Sequence, residues 1–177
     1  FKEEAERRME LWKNNDSSKN KAGNRIRIIG YSDVDNLDGI PSSRISAAGE
    51  EVNELDGSLK SGYRFFIHSP FKEAIEGGAR NETSIVFQLR VDAGSTKDAG
   101  KIFFGGDAEW RVWNKIIEKT SDDKYLKWNL LEAPHHCSYT FFADSRENDP
   151  EQSSLDFLDK RDGNGYIVSS SKTIKKN

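Results

Sequence analysis

The stretch from Lys101 to Ser138 constrains the fold more than any other part of this sequence. It reads as a hydrophobic strand ending in Gly105-Gly106-Asp107, an amphipathic helix, and a second hydrophobic strand ending in Pro134-His135-His136-Cys137-Ser138. Two strands joined by a helix are typical of α/β sheets, which keep their chemistry at the carboxyl ends of the strands. The sequence therefore predicts an α/β fold with candidate metal ligands at neighbouring strand ends.

The composition is polar for a chain of 177 residues. Only 34% of the residues are hydrophobic and 32% are charged, which fits a chain with long surface loops or one that lacks part of its core. The net charge of −3 argues against a dedicated nucleic-acid coat and against a membrane-surface protein. No signal peptide is recognised, and no apolar run approaches the roughly 20 residues of a membrane span. A single cysteine excludes an internal disulfide framework, and we expect a cytoplasmic protein.

Hydrophobic periodicity predicts a mixture of strands and helices. The predicted strands are Asn24–Tyr31, Tyr63–His68, Glu82–Val91, Lys101–Phe104, Leu126–Ala133 and Tyr166–Ser170, and the predicted helices are Phe1–Asn15, Ala108–Thr120 and Glu151–Lys160. We expect Ser32–Leu59 to be loop with short irregular pieces, and Asp92–Gly100 to be a hairpin loop between antiparallel strands. In the last helix, Leu155 and Leu158 are expected to face inward.

Asp107 has two interpretations. Because it immediately precedes a predicted helix, the simpler one is an N-cap whose carboxylate accepts a hydrogen bond from an early helix amide. The preceding Gly105-Gly106 favours the other, since two glycines at a strand end let the backbone approach another group closely, which a cap does not require. On that interpretation Asp107 is a candidate metal ligand.

His135 and His136 are adjacent and follow a proline that ends a strand. If the backbone is extended there, the two side chains point to opposite sides and at most one faces a given site. The structural interpretation is that one histidine is buried and hydrogen-bonded while the other is exposed. We favour metal ligation or acid–base catalysis, because neutral imidazole binds Zn²⁺ and Mn²⁺. Cys137 is expected to be a packing residue rather than a ligand. Ser138 is either a bystander or a donor to a bound phosphate.

Other polar residues have ordinary structural interpretations. His68 ends an apolar run and is expected to be a strand-end histidine bonded to a loop. Asn81 and Ser84 flank the start of a strand, where turn and cap residues are common. The sequence contains no phosphate-binding Gly-rich loop, nucleophile elbow or Cys-x-x-Cys pair. Serine-hydrolase and zinc-finger interpretations are therefore set aside.

Three segments, in this order, resemble the second half of a metallo-β-lactamase-fold hydrolase. They are Asn81-Glu82-Thr83-Ser84-Ile85-Val86-Phe87, Ile102-Phe103-Phe104-Gly105-Gly106-Asp107-Ala108-Glu109 and Leu130-Leu131-Glu132-Ala133-Pro134-His135-His136-Cys137-Ser138. The most similar group contains the ComEC-type competence nuclease domain. Its pattern is an Asn-x-Ser strand, a hydrophobic strand ending in Gly-Asp and a strand ending in Pro-His-His-Gly-Ser. Tyr63–Pro70 also resembles the strand ending in Ser-Pro that precedes these motifs.

The resemblance implies roles for particular residues. Asp107 resembles the aspartate that bridges two metal ions, one of His135 and His136 resembles the last histidine ligand, and the other would lie near the scissile phosphate. The implied substrate-binding residues are Asn81, Ser84 and Ser138. Cys137 replaces the usual glycine, which puts the loop geometry in question. The first-half motif His-x-His-x-Asp-His is absent from this chain, so the usual site for two Zn or Mn ions cannot be assembled from these residues alone.

We therefore expect residues 1–177 to be the C-terminal portion of one metallo-β-lactamase-like domain. Residues 1–60 would contribute a helix, a strand and a long polar loop, and residues 61–177 the strand and helix core with the site motifs. The complete domain would be a four-layer αββα sandwich, with the missing N-terminal half as a partner. The expected activity is metal-dependent hydrolysis of a phosphodiester, possible substrates being nucleic acids. The alternative is a non-catalytic binding or regulatory module that retains the fold.

Overall fold

The computed structural model describes residues 2–33, 37–78 and 80–171. The strands in this part of the chain are β1 Ile28–Ile29, β2 Ile45–Ser46, β3 Glu51–Val52, β4 Glu54–Leu55, β5 Ser58–Leu59, β6 Tyr63–Ser69, β7 Val86–Ala93, β8 Thr96–Phe104, β9 Trp128–Glu132 and β10 Arg161–Val168. The α-helices are α1 Lys2–Lys13, α2 Lys72–Gly77, α3 Trp110–Lys119 and α4 Gln152–Asp159. Phe1, predicted to open the first helix, lies outside the described residues.

Six strands form one mixed sheet in the order β10-β9-β8-β7-β6-β3. β8, β9 and β10 run parallel to one another, whereas β7, β6 and β3 each run antiparallel to the preceding strand in this order. The predicted antiparallel pairing of β7 and β8 is confirmed, and so is the mixed α/β character of the fold. Phe104 of β8 is in register with Glu132 of β9, so the segments that follow these two strands begin side by side.

Helices α3 and α4 cover one face of the sheet, which we call the inner face. Trp113 of α3 and Phe157 of α4 are fully buried, and their ring centroids are 4.3 Å apart. Both rings pack on Phe103 of β8, at 5.7 and 4.7 Å respectively. Alternate residues of β7 and β9, such as Val86 and Leu131, extend this core. The inner face thus holds the parallel strands and the crossover helix α3 together, as hydrophobic burial requires.

The opposite face, which we call the outer face, is also apolar. Its residues include Phe65, Phe87, Leu89, Ile102, Phe104 and Leu130, which are partly buried, and Ile67, which is buried. Ile29 and Val52 from the N-terminal part of the chain line a groove together with Phe65, Ile67 and Phe87. Strand register aligns Phe65, Leu89, Ile102 and Leu130 in one row across four strands, and Phe87 stacks on Phe104 at 4.6 Å. A sheet face in contact with water ordinarily carries polar residues at these positions. The outer face is therefore of the kind that a further layer covers.

The N-terminal strand is shorter than predicted. Of Asn24–Tyr31, only Ile28–Ile29 form a strand, paired in parallel with β2. Arg25 and Arg27 instead reach across to the carboxylates of Asp56 and Glu54. The β-branched residues predicted an extended segment, but a strand also requires a partner of matching length. The predicted loop Ser32–Leu59 includes residues 34–36, which lie outside the described residues, and in the rest of this range the strands are short, as expected.

The hairpin between β7 and β8 is tighter than predicted. β7 continues to Ala93 and β8 begins at Thr96, so most of the predicted loop Asp92–Gly100 is strand. Asp98 accounts for the difference, because its carboxylate accepts hydrogen bonds from Arg64 of β6 and Arg90 of β7. These ion pairs stabilise the extended conformation of the polar segment around Asp98. At its other end β7 begins at Val86 rather than Glu82, since residues 81–83 form a 3-10 turn.

The C-terminal elements also differ from expectation. β10 spans Arg161–Val168 rather than Tyr166–Ser170 and contains a register shift between Arg161 and Tyr166. In α4, Leu155 is 37% exposed, whereas Ser154 is fully buried. The hydroxyl of Ser154 donates to the carbonyl of Phe141 over 2.6 Å. Because this hydrogen bond satisfies the serine, a polar residue occupies a core position that periodicity assigned to leucine.

Candidate active site

Gly105 and Gly106 allow three segments to meet beyond the ends of β8 and β9. A Cβ atom on Gly105 would lie 2.8 Å from Cγ of Pro134, and one on Gly106, whose φ is +52°, would lie 3.0 Å from the carbonyl oxygen of Ile85. The amide of His135 donates to the carbonyl of Gly106 over 2.8 Å. The close approach predicted from the two glycines is therefore present. The groups approached are the segments before β7 and after β9, which are brought against the turn that carries Asp107.

The backbone from His135 to Cys137 is left-handed and not extended. The φ angles of His135, His136 and Cys137 are 47°, 54° and 66°, and the amide of Ser138 donates to the carbonyl of His135 over 2.9 Å. The expectation of imidazoles on opposite sides of an extended chain is therefore wrong. A non-glycine residue in this conformation costs about 1–2 kcal/mol, and backbone strain of this kind concentrates at functional sites.

His136 faces Asp107. Its Nε2 lies 3.4 Å from Oδ1 of Asp107, and its Nδ1 lies 2.8 Å from Oγ of Ser170, which follows β10. Two ligand atoms, each about 2.0–2.1 Å from one tetrahedral zinc ion, are about 3.3 Å apart. The pair therefore fits two positions around one divalent ion. A hydrogen bond to the other ring nitrogen, here at Ser170, is the usual support of a ligating histidine.

His135 lies beside this pair in a more enclosed position. Its side chain is 26% exposed, compared with 61% for His136. Nδ1 of His135 lies 2.6 Å from the hydroxyl oxygen of Thr140 and 3.7 Å from Oε1 of Glu109. The two histidines therefore have different neighbours, one a threonine hydroxyl with Glu109 and the other Asp107 with Ser170.

Asp107 is not the N-cap of the following helix, which corrects the simpler interpretation. Helix α3 begins at Trp110, and its N-cap is Glu109, which makes no side-chain capping bond. The carboxylate of Glu109 instead accepts a hydrogen bond from Nδ2 of Asn81 over 2.9 Å. Glu109 is a candidate functional residue that the sequence analysis did not identify. Its acidic side chain two positions after Asp107 was the available signal.

The three predicted substrate-binding residues lie around the cluster in supporting contacts. Asn81 holds Glu109. Ser84 lies next to Gly106 and accepts, through its carbonyl, a 2.6 Å hydrogen bond from Ser69. Ser138 accepts from the amide and the hydroxyl of Thr140, at 3.3 and 3.1 Å, and so caps the short turn that follows. These contacts position the site, and contact with a substrate stays a prediction.

Cys137 and His68 differ in the burial of their side chains. Cys137 is exposed, so the prediction of a packed thiol is wrong. His68 is buried, its Nε2 donates to the carbonyl of Tyr125 over 3.0 Å, and its Nδ1 accepts from the hydroxyl of Thr120 over 3.3 Å. Burial lowers the pKa of His68 to about 3. The prediction of a strand-end histidine bonded to a loop is confirmed.

The candidate site is incomplete as a metal centre. Within residues 2–33, 37–78 and 80–171, no group of three or more His, Cys, Asp or Glu residues is placed to hold a metal ion. A catalytic zinc ion commonly takes three protein ligands and a water molecule, and Asp107 and His136 would supply at most two of those protein ligands.

None of the helices in the described part of the chain has the length and apolar character needed to cross a bilayer.

Comparisons with protein-family models, with curated proteins and with solved structures give no match to this chain. Its function must therefore be inferred from the chemistry of the cluster formed by Asp107, Glu109, His135 and His136.

Proposed function

We propose that this chain carries part of the active site of a metal-dependent hydrolase that cleaves phosphodiester bonds. The proposal is supported chiefly by the 3.4 Å approach of Nε2 of His136 to Oδ1 of Asp107. This pair lies beyond the carboxyl ends of two parallel strands, where α/β sheets place their catalytic groups. The order of the three motifs, which resembles that of metallo-β-lactamase-fold hydrolases, supports the same class of reaction.

The residues of the cluster have distinct roles in this proposal. Asp107 and His136 would hold a divalent ion, Zn or Mn, and the bound ion would supply Lewis-acid polarisation of a phosphoryl oxygen. His135 stands beside this pair and directs its Nε2 to the substrate, where a neutral imidazole takes a proton from the attacking water and passes it to the leaving oxygen. Asn81 keeps Glu109 beside His135, and Ser138 supports His135 through Thr140. Two neighbouring imidazoles thus perform two tasks because they have different partners.

The outer face supports the second part of the proposal, which is that another half of the domain completes the site. Partly buried apolar side chains form rows across β6, β7, β8 and β9 on that face. In a four-layer αββα sandwich, a second sheet packs on such a face at a distance of about 10 Å. The N-terminal half, carrying the motif His-x-His-x-Asp-His, would contribute that sheet and the remaining ligands.

Hydrolysis of bis-p-nitrophenyl phosphate tests this function. The chain alone should be catalytically inactive. Addition of the N-terminal half, in the same polypeptide or as a separate one, should produce turnover that a chelator abolishes. Asp107→Asn, which keeps the size of the side chain, should abolish turnover while circular dichroism shows an unchanged fold. A gene whose region upstream of Phe1 lacks the His-x-His-x-Asp-His motif would contradict the half-site. A complete protein that binds the ion but cleaves no phosphodiester would favour the non-catalytic module.

A further inference from the structure

The contacts of His135 favour one position for the proton of its ring. Nδ1 lies 2.6 Å from the hydroxyl oxygen of Thr140. Oγ of Ser138 lies 3.1 Å from that hydroxyl and can accept its proton, which leaves the threonine oxygen as an acceptor toward His135. In this arrangement Nδ1 of His135 is the donor, and Nε2 is the nitrogen left with the lone pair.

Glu109 strengthens this assignment from a second direction. Its Oε1 lies 3.7 Å from the same Nδ1, and a carboxylate accepts hydrogen bonds without donating any. Asn81 donates to this oxygen over 2.9 Å, and the backbone carbonyl of Glu109 accepts from the amide of Val112 over 2.9 Å. Glu109 is thus fixed at both its side chain and its main chain. The edge of His135 that bears Nδ1 faces a hydroxyl oxygen and a carboxylate, and the carboxylate has little freedom to move.

The opposite edge of the ring is differently placed. In the described part of the chain, Nε2 of His135 forms no hydrogen bond, whereas both nitrogens of His68 and Nδ1 of His136 have partners. The ring is 26% exposed, so this nitrogen can be reached from outside. A ring held at one nitrogen and open at the other is arranged to act on a bound molecule.

We propose that Thr140 and Glu109 are positioning residues that hold His135 as the Nδ1–H tautomer and so present its Nε2 to the substrate. The chemical class of that substrate rests on the proposed function, whereas the tautomer of the His135 ring does not. In this assignment both residues act through the ring of His135. The hydrogen bond from Asn81 makes that residue part of the same support.

The state of the ring can be measured directly by NMR on the ¹⁵N-labelled chain. Two-bond ¹H–¹⁵N correlations, recorded at a mildly alkaline pH where free imidazole is neutral, distinguish a protonated from an unprotonated ring nitrogen. His135 should show a protonated Nδ1 and an unprotonated Nε2 in the wild-type chain. A proton on Nε2 in the wild-type chain would overturn the inference, and this measurement requires no variant to fold.

Variants of Thr140 and Glu109 test whether these two residues set the tautomer of His135. Thr140→Val removes the hydroxyl at nearly constant size and should shift part of the His135 population to the Nε2–H tautomer, whereas Thr140→Ser keeps the hydroxyl and should preserve the wild-type spectrum. Glu109→Gln should add to the shift in the double variant, since an amide can donate as well as accept. An unchanged tautomer in the double variant, with its unfolding midpoint retained, would contradict the assigned roles.

Turnover of the complete protein separates this inference from the proposed function. Thr140→Val should lower kcat by about tenfold or more, a small part of the effect of an acid–base group, with KM and bound metal unchanged, and Thr140→Ser should restore kcat. An unchanged kcat in a Thr140→Val protein with the shifted tautomer would overturn the positioning role. If the wild-type tautomer is as expected but the complete protein hydrolyses nothing, the proposed function fails and the assignment of His135 stands.

Discussion

Oδ1 of Asp107 and Nε2 of His136 lie 3.4 Å apart although one residue follows β8 and the other follows β9. Two features produce this approach. The parallel register of β8 with β9 aligns the strand ends, and the left-handed backbone at His135 and His136 turns the second imidazole toward the aspartate. The pairing therefore depends on the packing of the strand ends as well as on the two side chains themselves.

Cys137→Gly should stabilise the chain. Cys137 has a φ of 66°, a conformation that costs a non-glycine residue about 1–2 kcal/mol, whereas glycine loses about 0.5–1 kcal/mol in chain entropy. The free energy of unfolding, measured by urea denaturation, should therefore rise by about 0.5–1 kcal/mol. Cys137→Ala is the matched control, because it removes the thiol but keeps the strain. A glycine variant less stable than the alanine variant would contradict the left-handed turn.

Gly105→Ala should damage the site and the fold together. The added methyl group would lie 2.8 Å from Cγ of Pro134 and 3.1 Å from the carbonyl oxygen of Glu132, so the segment that carries the histidines must move. We expect a loss of about 1–3 kcal/mol in unfolding free energy, together with weaker metal binding. Gly62→Ala is the control, since its added Cβ would meet no atom within 4 Å. Equal stability of the two variants would refute the close packing of Gly105 on Pro134.

The stability of the chain should fall as the pH is lowered below about 6.5. Burial lowers the pKa of His68 from 6.5 to about 3, so in this range the unfolded chain binds a proton that the folded chain does not. The stabilising contribution of neutral His68 is complete above pH 6.5 and is lost progressively as the pH falls toward 3. His68 contributes up to about 1.4 kcal/mol per pH unit to the change in the free energy of unfolding with pH.

Urea denaturation of the wild type and of His68→Gln at pH 7 and pH 5 measures this effect. Glutamine retains a donor and an acceptor but does not titrate, so the variant should be less stable at pH 7 and should lose less stability on acidification. Parallel pH profiles for the two proteins would show that His68 is not held neutral.

The outer face should govern assembly with the proposed N-terminal half. Leu89→Lys combined with Leu130→Lys places two charges in the apolar row that crosses the sheet. The double variant should reduce self-association of the isolated chain in sedimentation velocity, because apolar surface left in contact with water drives association. It should also prevent the N-terminal half from restoring turnover. Leu155→Lys on α4, where leucine is already 37% exposed, is the control, and an equal effect of that variant would contradict a specific docking face.

Local sequence signals predicted the main elements well. β6, β9, α3 and α4 lie within two residues of the predicted bounds, because each has a clear apolar period and Pro134 or Pro70 follows a strand. The hairpin was predicted less well. Residues 96–100 have the composition of a loop, and their extended conformation depends on Asp98 meeting Arg64 and Arg90 from other strands, which a local pattern does not contain.

The candidate site was likewise predicted only where local sequence signals determine it. The candidates Asp107, His135 and His136 were identified from their places after two strands, and these places are adjacent in the fold. The left-handed turn was not predicted, since it depends on the carbonyl of Gly106 accepting from the amide of His135 across two segments. The place of Glu109 was missed for a similar reason. Its partner Asn81 precedes β7 and reaches it only through the pairing of β7 with β8.

Zinc titration of the purified chain measures the contribution of Asp107 and His136 to metal binding. Wild type, Asp107→Asn, His136→Ala and His135→Ala would be compared by competition with a chromophoric chelator, with unfolding midpoints measured to confirm that each variant is folded. We expect weak binding by the wild type, a further loss of more than about tenfold in affinity for Asp107→Asn and for His136→Ala, and an unchanged affinity for His135→Ala. Unchanged affinity in His136→Ala, or an equal loss in His135→Ala, would contradict the assignment of Asp107 and His136 as the metal-binding pair.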